Sequence, residues 1–476
     1  MARDQKAVFD PYARGMSLPA EPEGQAISAP PRPRREPTPQ HGQVRRRVAG
    51  SDNEVTSAGG RHRRLNYLQR RRIRVKRRKT ARRAKRAARR FFFGRHPIAA
   101  GSIVVVLGLT PVWVSLGSAL TNPSMGVTLP GRFAEWVREH GGGSLVAAIE
   151  NFYYTHNPPK VGGKPPKGAI PLPVKSGPTH TVHTAGVQPL PEPAPIKPLA
   201  SPPLPGEGQW HPAGRLVDGV PAIYEAFLRP DTLHTSYVVG VAWMDTRLLR
   251  ATLYSGSWIP GGGPYRYTAP VQPQQARTLV SAFNARLLMS NAEGGYYTEG
   301  KLIMPLRTGA ASVVIYKNGS VQIGAWNQQV HMTSQVASVR QNLNMLVNNG
   351  RVVPGLNPND TTVWGATLGG AVYVWRSGIG ITRNGALVYV GGPSLNITTL
   401  ANLLVRAGAV RGMELDINTD WVDYATFKPP SAAGLASPAN GSNMLADMVG
   451  APDRYFASWW ARDFFTMSCR GNCTKP

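Results

Sequence analysis

Within GMELDINTDW (Gly412 to Trp421), Glu414, Asp416 and Asn418 alternate with Met413, Leu415 and Ile417. A strand turns successive side chains to opposite faces, so the three polar groups share one face and the apolar groups the other. Two carboxylates beside an amide suit glycosyl transfer to water. One carboxyl protonates a leaving oxygen while the other acts as base or nucleophile. Asp416 is the central candidate, with Glu414 or Asp420 as the second carboxylate and Asp423 just beyond the strand. The competing reading is a solvated acidic strand end.

Two further groups have suitable chemistry. Arg376 stands beside a tryptophan and a glycine turn in WRSGIGIT, where a guanidinium can clamp phosphate or pair with a structural carboxylate. Asn284, in SAFNARL, is either a substrate ligand or a simple helix C-cap. GYYTEGKL (Gly295 to Leu302) approaches a phosphate-binding loop, but Leu302 stands where Ser or Thr would hold magnesium, so that reading is rejected. Neither a Gly-x-Ser-x-Gly elbow nor a His-Glu-x-x-His pair occurs, which leaves the common serine hydrolase and zinc protease arrangements unsupported. Cys469 and Cys473 in CRGNC read as a small disulfide loop, since two thiolates without nearby histidines do not close a zinc site. No cofactor or metal ligand set is expected. Oxygen-rich side chains near Asp416 could hold a divalent cation, yet no loop has calcium-site spacing.

The elements that must position these groups are mostly strands. SYVVGVAWMD and RLLRATLYSG are β-rich runs. ASVVIYKNGSVQIGAW and IGITRNGALVYVGG each carry Asn-Gly between alternating segments, a strong hairpin signal. Helical spacing is expected in VQPQQARTLVSAFNA, and again in NITTLANLLVRAGAV, where Leu400, Leu403, Leu404 and Ala407 make an apolar face. The second helix runs directly into the acidic strand. The class is α+β with extensive mixed sheet.

The order of these pieces, from VAWMDTRLLRATLYSG through LVSAFNARLL, GGYYTEGKLIMPL, SVVIYKNGSVQIG and WRSGIGITRNGALVYVGG to LANLLVRAGAVRGMELD, resembles the phosphodiester glycosidase family over about Tyr237 to Tyr424. The resemblance implies a sheet-rich domain that hydrolyses sugar-1-phosphodiesters. Asn284, Arg376 and Asp416 stand at the family's Asn, Arg and Asp positions. In that frame Arg376 neutralises the phosphodiester, Asp416 is acid, base or stabiliser, and Asn284 and Asn418 hold sugar hydroxyls. The chain departs from the family at NARLL, where Asn-x-Gly-Phe-Phe is usual. It departs again at INTDW, which replaces a glycine run that would let backbone N–H groups approach the substrate. Trp421 offers a flat face for stacking on a sugar ring instead.

Charge and composition place that domain. Of the formal +29, the first 96 residues supply about +20, from 27 Lys/Arg against 7 Asp/Glu. Alone, the arginine run from Arg61 to Arg95 would suggest nucleic acid. It precedes a stretch without charge from Pro97 to Asn122, however, and about 20 apolar residues suffice to cross a bilayer. The run is therefore read as a topology signal on anionic lipid headgroups, with nucleic acid not expected as a partner. Residues 1–96 are expected to be a disordered basic cytoplasmic tail, 97–120 a transmembrane helix and 121–156 a juxtamembrane amphipathic segment. Residues 157–209 are expected to be a proline-rich stalk, and 210–476 the extracytoplasmic domain. Prolines number 16 between 157 and 212, which favours extended, semi-rigid chain. Arg, Ala, Gly and Pro abound while lysines are few in the domain, as a GC-rich genome would give, so an actinobacterial wall glycopolymer is the expected setting. The alternative is a non-catalytic module that binds wall glycan, or an envelope scaffold, on the inherited fold.

Overall fold

The computed structural model describes residues 74–86, most of 102–172, and 187–474 apart from short stretches at 258, 286, 288–293, 361–362, 365–371, 450–451, 459 and 461. The chain divides into a unit of residues 1–92 and a unit of residues 93–476.

Among the described residues, three antiparallel sheets build the second unit. The first contains β1 (Trp210–Val217), β2 (Val220–Leu228), β3 (Val239–Met244), β11 (Met345–Asn348), β12 (Arg351–Val352), β13 (Val374–Thr382), β14 (Leu387–Leu395), β15 (Ala409–Ile417) and β19 (Cys473–Thr474), in the order 12-11-15-13-14-3-2-1-19. The second joins β6 (Tyr296–Thr298), β7 (Lys301–Met304), β8 (Ala311–Tyr316), β9 (Val321–Ala325) and β10 (Val336–Gln341) in the order 7-6-10-8-9. The third joins β4 (Leu249–Tyr254), β5 (Leu279–Asn284), β16 (Tyr424–Phe427), β17 (Gly441–Asn443) and β18 (Phe464–Cys469) in the order 17-16-5-18-4.

Both Asn-Gly hairpins form as expected. Gly319 and Gly385 take φ of +78° and +91°, which a side chain would resist. The helix expected before the acidic strand also forms, as α4 (Ile397–Arg406), with the Asn396 side chain accepting from Thr399 N at 2.7 Å. Leu400, Leu403 and Leu404 are fully buried against one face of the first sheet. At about 1.5–3 kcal/mol for each such side chain, this face holds the helix. The opposite face of the first sheet meets the other two sheets across the main core. Cys469 and Cys473 are disulfide-bonded, and the loop they close joins β18 of the third sheet to β19 of the first.

Three expectations are corrected, and a fourth lies partly outside the described residues. VQPQQARTLVSAFNA is not one helix: a single turn, α3 (Pro273–Ala276), gives way to β5, all six residues of which are buried. Pairing with β16 and β18 on both sides overrides the helical spacing. Residues 74–86 of the basic tail are helical with every side chain exposed, in keeping with their Arg, Lys and Ala content. The outer stretch of the expected stalk, 187–209, lies on the domain: Leu190, Ile196 and Ala200 are buried, and Leu190 N donates to Asp245 Oδ2 at 2.6 Å. The buried Arg229 guanidinium donates to Pro202 O at 2.7 Å and to Glu207 at 2.8 Å. Extended proline-rich chain carries apolar side chains and free carbonyls, and the edge of a domain can use both. Lastly, among the described residues no helix is long and apolar enough to cross a membrane. Helix α1 (Thr110–Thr121) covers only the end of the expected span, and residues 97–101, 103 and 104 lie outside the described ones. Of the amphipathic pair, the first segment is helix α2 (Leu129–Val137), and the second is described only in part.

Candidate active site

Strand β15 delivers Glu414 and Asp416 from between β13 and β11, then ends in a turn at Asn418. Asn418 has φ +105°, a conformation that glycine adopts freely and other residues rarely. Its side chain stabilises the turn by accepting from Asp420 N at 3.0 Å. The backbone therefore turns here as glycine would allow, although glycine is absent. Asn418→Ala keeps the strain and loses that hydrogen bond, so it is expected to cost about 1–2 kcal/mol. Asn418→Gly relieves the strain and is expected to cost less than half as much. Equal losses in thermal unfolding would show that the φ value is not what Asn418 is there to satisfy.

Asp416 is 2% exposed. One carboxylate oxygen accepts from Ile417 N at 2.8 Å, and the other from the Arg462 guanidinium at 3.2 Å. Burial pushes the Asp416 carboxyl up to about 8, outweighing Arg462, with Asp463 and Asp423 adding to the rise. Arg462 in turn lies 3.5 Å over the Trp421 ring, and Arg454 lies 4.4 Å over Trp460. The two indoles are 5.7 Å apart, so guanidinium and indole alternate through this wall. Asp423 pairs with Arg454 at 2.6 Å, and Asp463 pairs with Arg340. Asp416, Asp423 and Asp463 thus each have their own arginine.

Below Asp416 runs a neutral chain. Ser377 Oγ accepts from Asp416 N at 3.1 Å and from the Asn284 amide at 3.0 Å. Asn284 Oδ1 accepts from Tyr389 OH at 2.9 Å and from Asp423 N at 3.2 Å. This network fixes the strand end rather than facing a ligand.

The expected site residues therefore separate. Asp416, Asp420 and Trp421 come together with Arg462, while Glu414 and Arg376 form a closed pair: Arg376 Nη1 donates to Glu414 Oε1 at 2.5 Å with both side chains at most 1% exposed. Arg376 also donates to Leu395 O and Trp364 O, and its side chain is buried. Asn284 ends a strand and is no helix C-cap, and its side chain is engaged on both sides by Ser377 and Tyr389. Trp421 is 9% exposed and its face is covered by Arg462, which removes it as a stacking platform. Arg454, Arg462 and Asp463 were not anticipated. The signal was a basic residue beside an acidic one inside the aromatic run SWWARDFF, a place where unpaired charge is costly. Among the described residues no group of three or more His, Cys, Asp or Glu could hold a metal ion.

The segment that includes α2 lies against Asp420. A side chain at Gly131, in α2, would begin 2.6 Å from Asp420 Oδ2, and one at Gly126 would begin 3.2 Å from it. Glu135, one turn further along α2, acts electrostatically on Arg462. Arg132 holds the segment in shape by donating to Gly126 O at 2.8 Å and Leu120 O at 2.9 Å.

Residues 276–416 match the family model for phosphodiester glycosidases. The match ends on Asp416, and Arg454, Arg462 and Asp463 lie beyond it. Among solved structures the chain is similar to the zebrafish N-acetylglucosamine-1-phosphodiester alpha-N-acetylglucosaminidase catalytic domain auto-inhibited by pro-peptide, at 14% identity and TM-score 0.32, over 56% of this chain and 88% of that one. It is also similar to a hypothetical protein from Synechocystis (13% identity, TM-score 0.28, 55% of this chain and 64% of that one). A putative exported protein from Burkholderia pseudomallei matches at 10% identity and TM-score 0.24, over 48% of this chain and 74% of that one. No curated protein matches the sequence significantly.

Proposed function

We propose that the chain is a membrane-anchored extracytoplasmic hydrolase of sugar-1-phosphodiester linkages, with wall glycopolymer as its substrate. One observation carries this reading: the phosphodiester glycosidase match runs into a buried carboxyl, Asp416, that burial pushes up to about 8 beside an arginine. A carboxyl that holds its proton at neutral pH can serve as a general acid. In the proposed step Asp416 gives its proton to the phosphate oxygen as the anomeric C–O bond breaks, and Arg462 balances the phosphate charge. Asp420, at the mouth, takes the proton of the incoming water. Glu414 has no part in this, since Arg376 holds it. The anchor and its orientation rest on the apolar run from 98 to 120 and the arginines before it.

The decisive assay gives the full chain an N-acetylglucosamine-1-phosphodiester and follows reducing sugar. Helix α2 must move for substrate to reach Asp420, so Gly131→Val, whose side chain collides with that carboxylate, is expected to raise kcat/KM several-fold. An unchanged or lower value would mean that α2 does not stand in the substrate's way.

A second reading is favoured by the way Asn284, Arg376 and Trp421 are all engaged by the protein: a non-catalytic module that holds wall glycan. It predicts saturable binding with no sugar released.

A further inference from the structure

The outer edge of β4 and the face of the second sheet enclose a cleft of about 370 Å³, within the size range of small-ligand sites. It is separate from the Asp416 cluster. Its walls are the half-buried rings of Tyr267, Tyr297 and Tyr316. Its floor includes the hydroxyl pair of Thr298 and Ser338, 2.8 Å apart. Arg250 and Lys317 stand exposed at its rim.

The charge there is net positive, Arg250 and Lys317 standing against Glu299. Among the described residues neither Arg250 nor Lys317 has a carboxylate partner. The neighbouring Arg470 donates only to backbone carbonyls, those of Thr246, Leu249 and Asn318. The one acidic residue lining the cleft, Glu299, has both oxygens engaged by the backbone N–H groups of Arg266 and Tyr267, each at 2.9 Å. Cations held this way, without acidic partners, favour an anion. Tyrosine faces and hydroxyls favour a sugar ring, which offers C–H groups on its faces and hydroxyls at its edge.

We propose that this cleft is a second glycan site, taking a sugar unit that carries a phosphodiester. Tyr297 and Tyr316 pack on the ring while Arg250 and Lys317 take the phosphate. The identity of that glycan rests on the reading of the chain as acting on sugar phosphodiesters. The cleft is also placed to share a polymer with Asp416. Ser338 on its floor lies two residues before Arg340 on β10, about 7 Å along a strand. Arg340 binds Asp463, the neighbour of the Arg462 that holds Asp416. One glycan strand would then be held at the cleft while another of its linkages is cut.

The test uses the full chain in detergent, carrying Asp416→Asn so that no probe is consumed. The probe is a trimer of N-acetylglucosamine joined through 1-phosphodiesters, with the neutral N-acetylglucosamine trimer as comparison. The expected result is saturable binding that protects backbone amides at 297–301 and 333–338 from hydrogen exchange. Arg250→Ala/Lys317→Ala should weaken that binding at least tenfold, and the neutral trimer should bind at least tenfold more weakly than the charged one. The basic tail is common to both proteins and cancels in the comparison. With Asp416 restored, the double variant should cleave a monomeric phosphodiester at the parental rate and the polymer with a raised KM. Undiminished binding by the double variant, equal affinity for the neutral trimer, or protection confined to 416–423 would each overturn the proposal. If the intact chain released no sugar, the hydrolase reading would fail while the binding result stood on its own.

Discussion

Asp416→Asn is expected to lower sugar release by roughly 10²–10⁴-fold, the range in which a positioned acid or base contributes. The asparagine keeps the shape of the neutral carboxyl, and its one oxygen can still accept from Ile417 N or from Arg462, though not from both. What it lacks is the proton to give. The pH profile separates this role from a structural one. With the Asp416 carboxyl at about 8, kcat/KM is expected to hold through neutrality and fall as pH rises past 8, because the acid form is then lost. A flat profile through pH 9, or undiminished release by the variant, would remove Asp416 from the mechanism.

Stability follows the same group with a defined sign. The folded-state pKa lies above the ordinary 3.8, so between about pH 4 and pH 8 the native state holds a proton that the unfolded state has released. Its stabilising contribution is fully present below about pH 4 and is lost as pH rises through about 8. The difference in stability between parent and Asp416→Asn should therefore drift across that window. Denaturant titrations at pH 5 and pH 8.5 would read the drift directly.

Arg376→Met is expected to cost about 3–5 kcal/mol of folding stability, a large share of what a domain possesses. The substitution leaves Glu414 fully buried with no cation, in a place where its Oε2 has no hydrogen-bond partner among the described residues. Burial alone raises the Glu414 carboxyl, and Arg376 is what opposes that rise. Arg376→Met/Glu414→Leu removes both charges and is expected to recover most of the loss, since a buried ion pair is often replaceable by apolar groups of similar size. If the single variant instead melted like the parent and only its KM for a phosphodiester rose, Arg376 would be a substrate ligand and the closed pair would not describe it.

Much of the scaffold was legible in the sequence because it depends on local rules. The two Asn-Gly hairpins follow from turn residues that accept positive φ, and α4 follows from leucines at helical spacing. The alternation in MELDI gave β15. The VQPQQARTLVSAFNA stretch misled for a physical reason: fully buried strands such as β5 have apolar residues on both faces, which erases the period of two. The proline-rich segment likewise gives its extended geometry locally, while its docking on β1–β3 depends on what lies opposite.

For the site, the sequence by itself determined which carboxylates stand together on the strand end, and it pointed to Asp416 among them. Only the tertiary structure decided their partners. Glu414 and Asp416 are two residues apart, yet one is locked to Arg376 on β13 and the other to Arg462, 46 residues further along the chain. Ion pairing in a buried site is a property of distance in space, where desolvation makes each unpaired charge costly, and sequence spacing carries no record of it. The phosphate-neutralising role that resemblance gave to Arg376 is therefore assigned, in the proposed mechanism, to Arg462. That residue lies beyond the family match, in a tail whose strand β18 the third sheet brings back to β5.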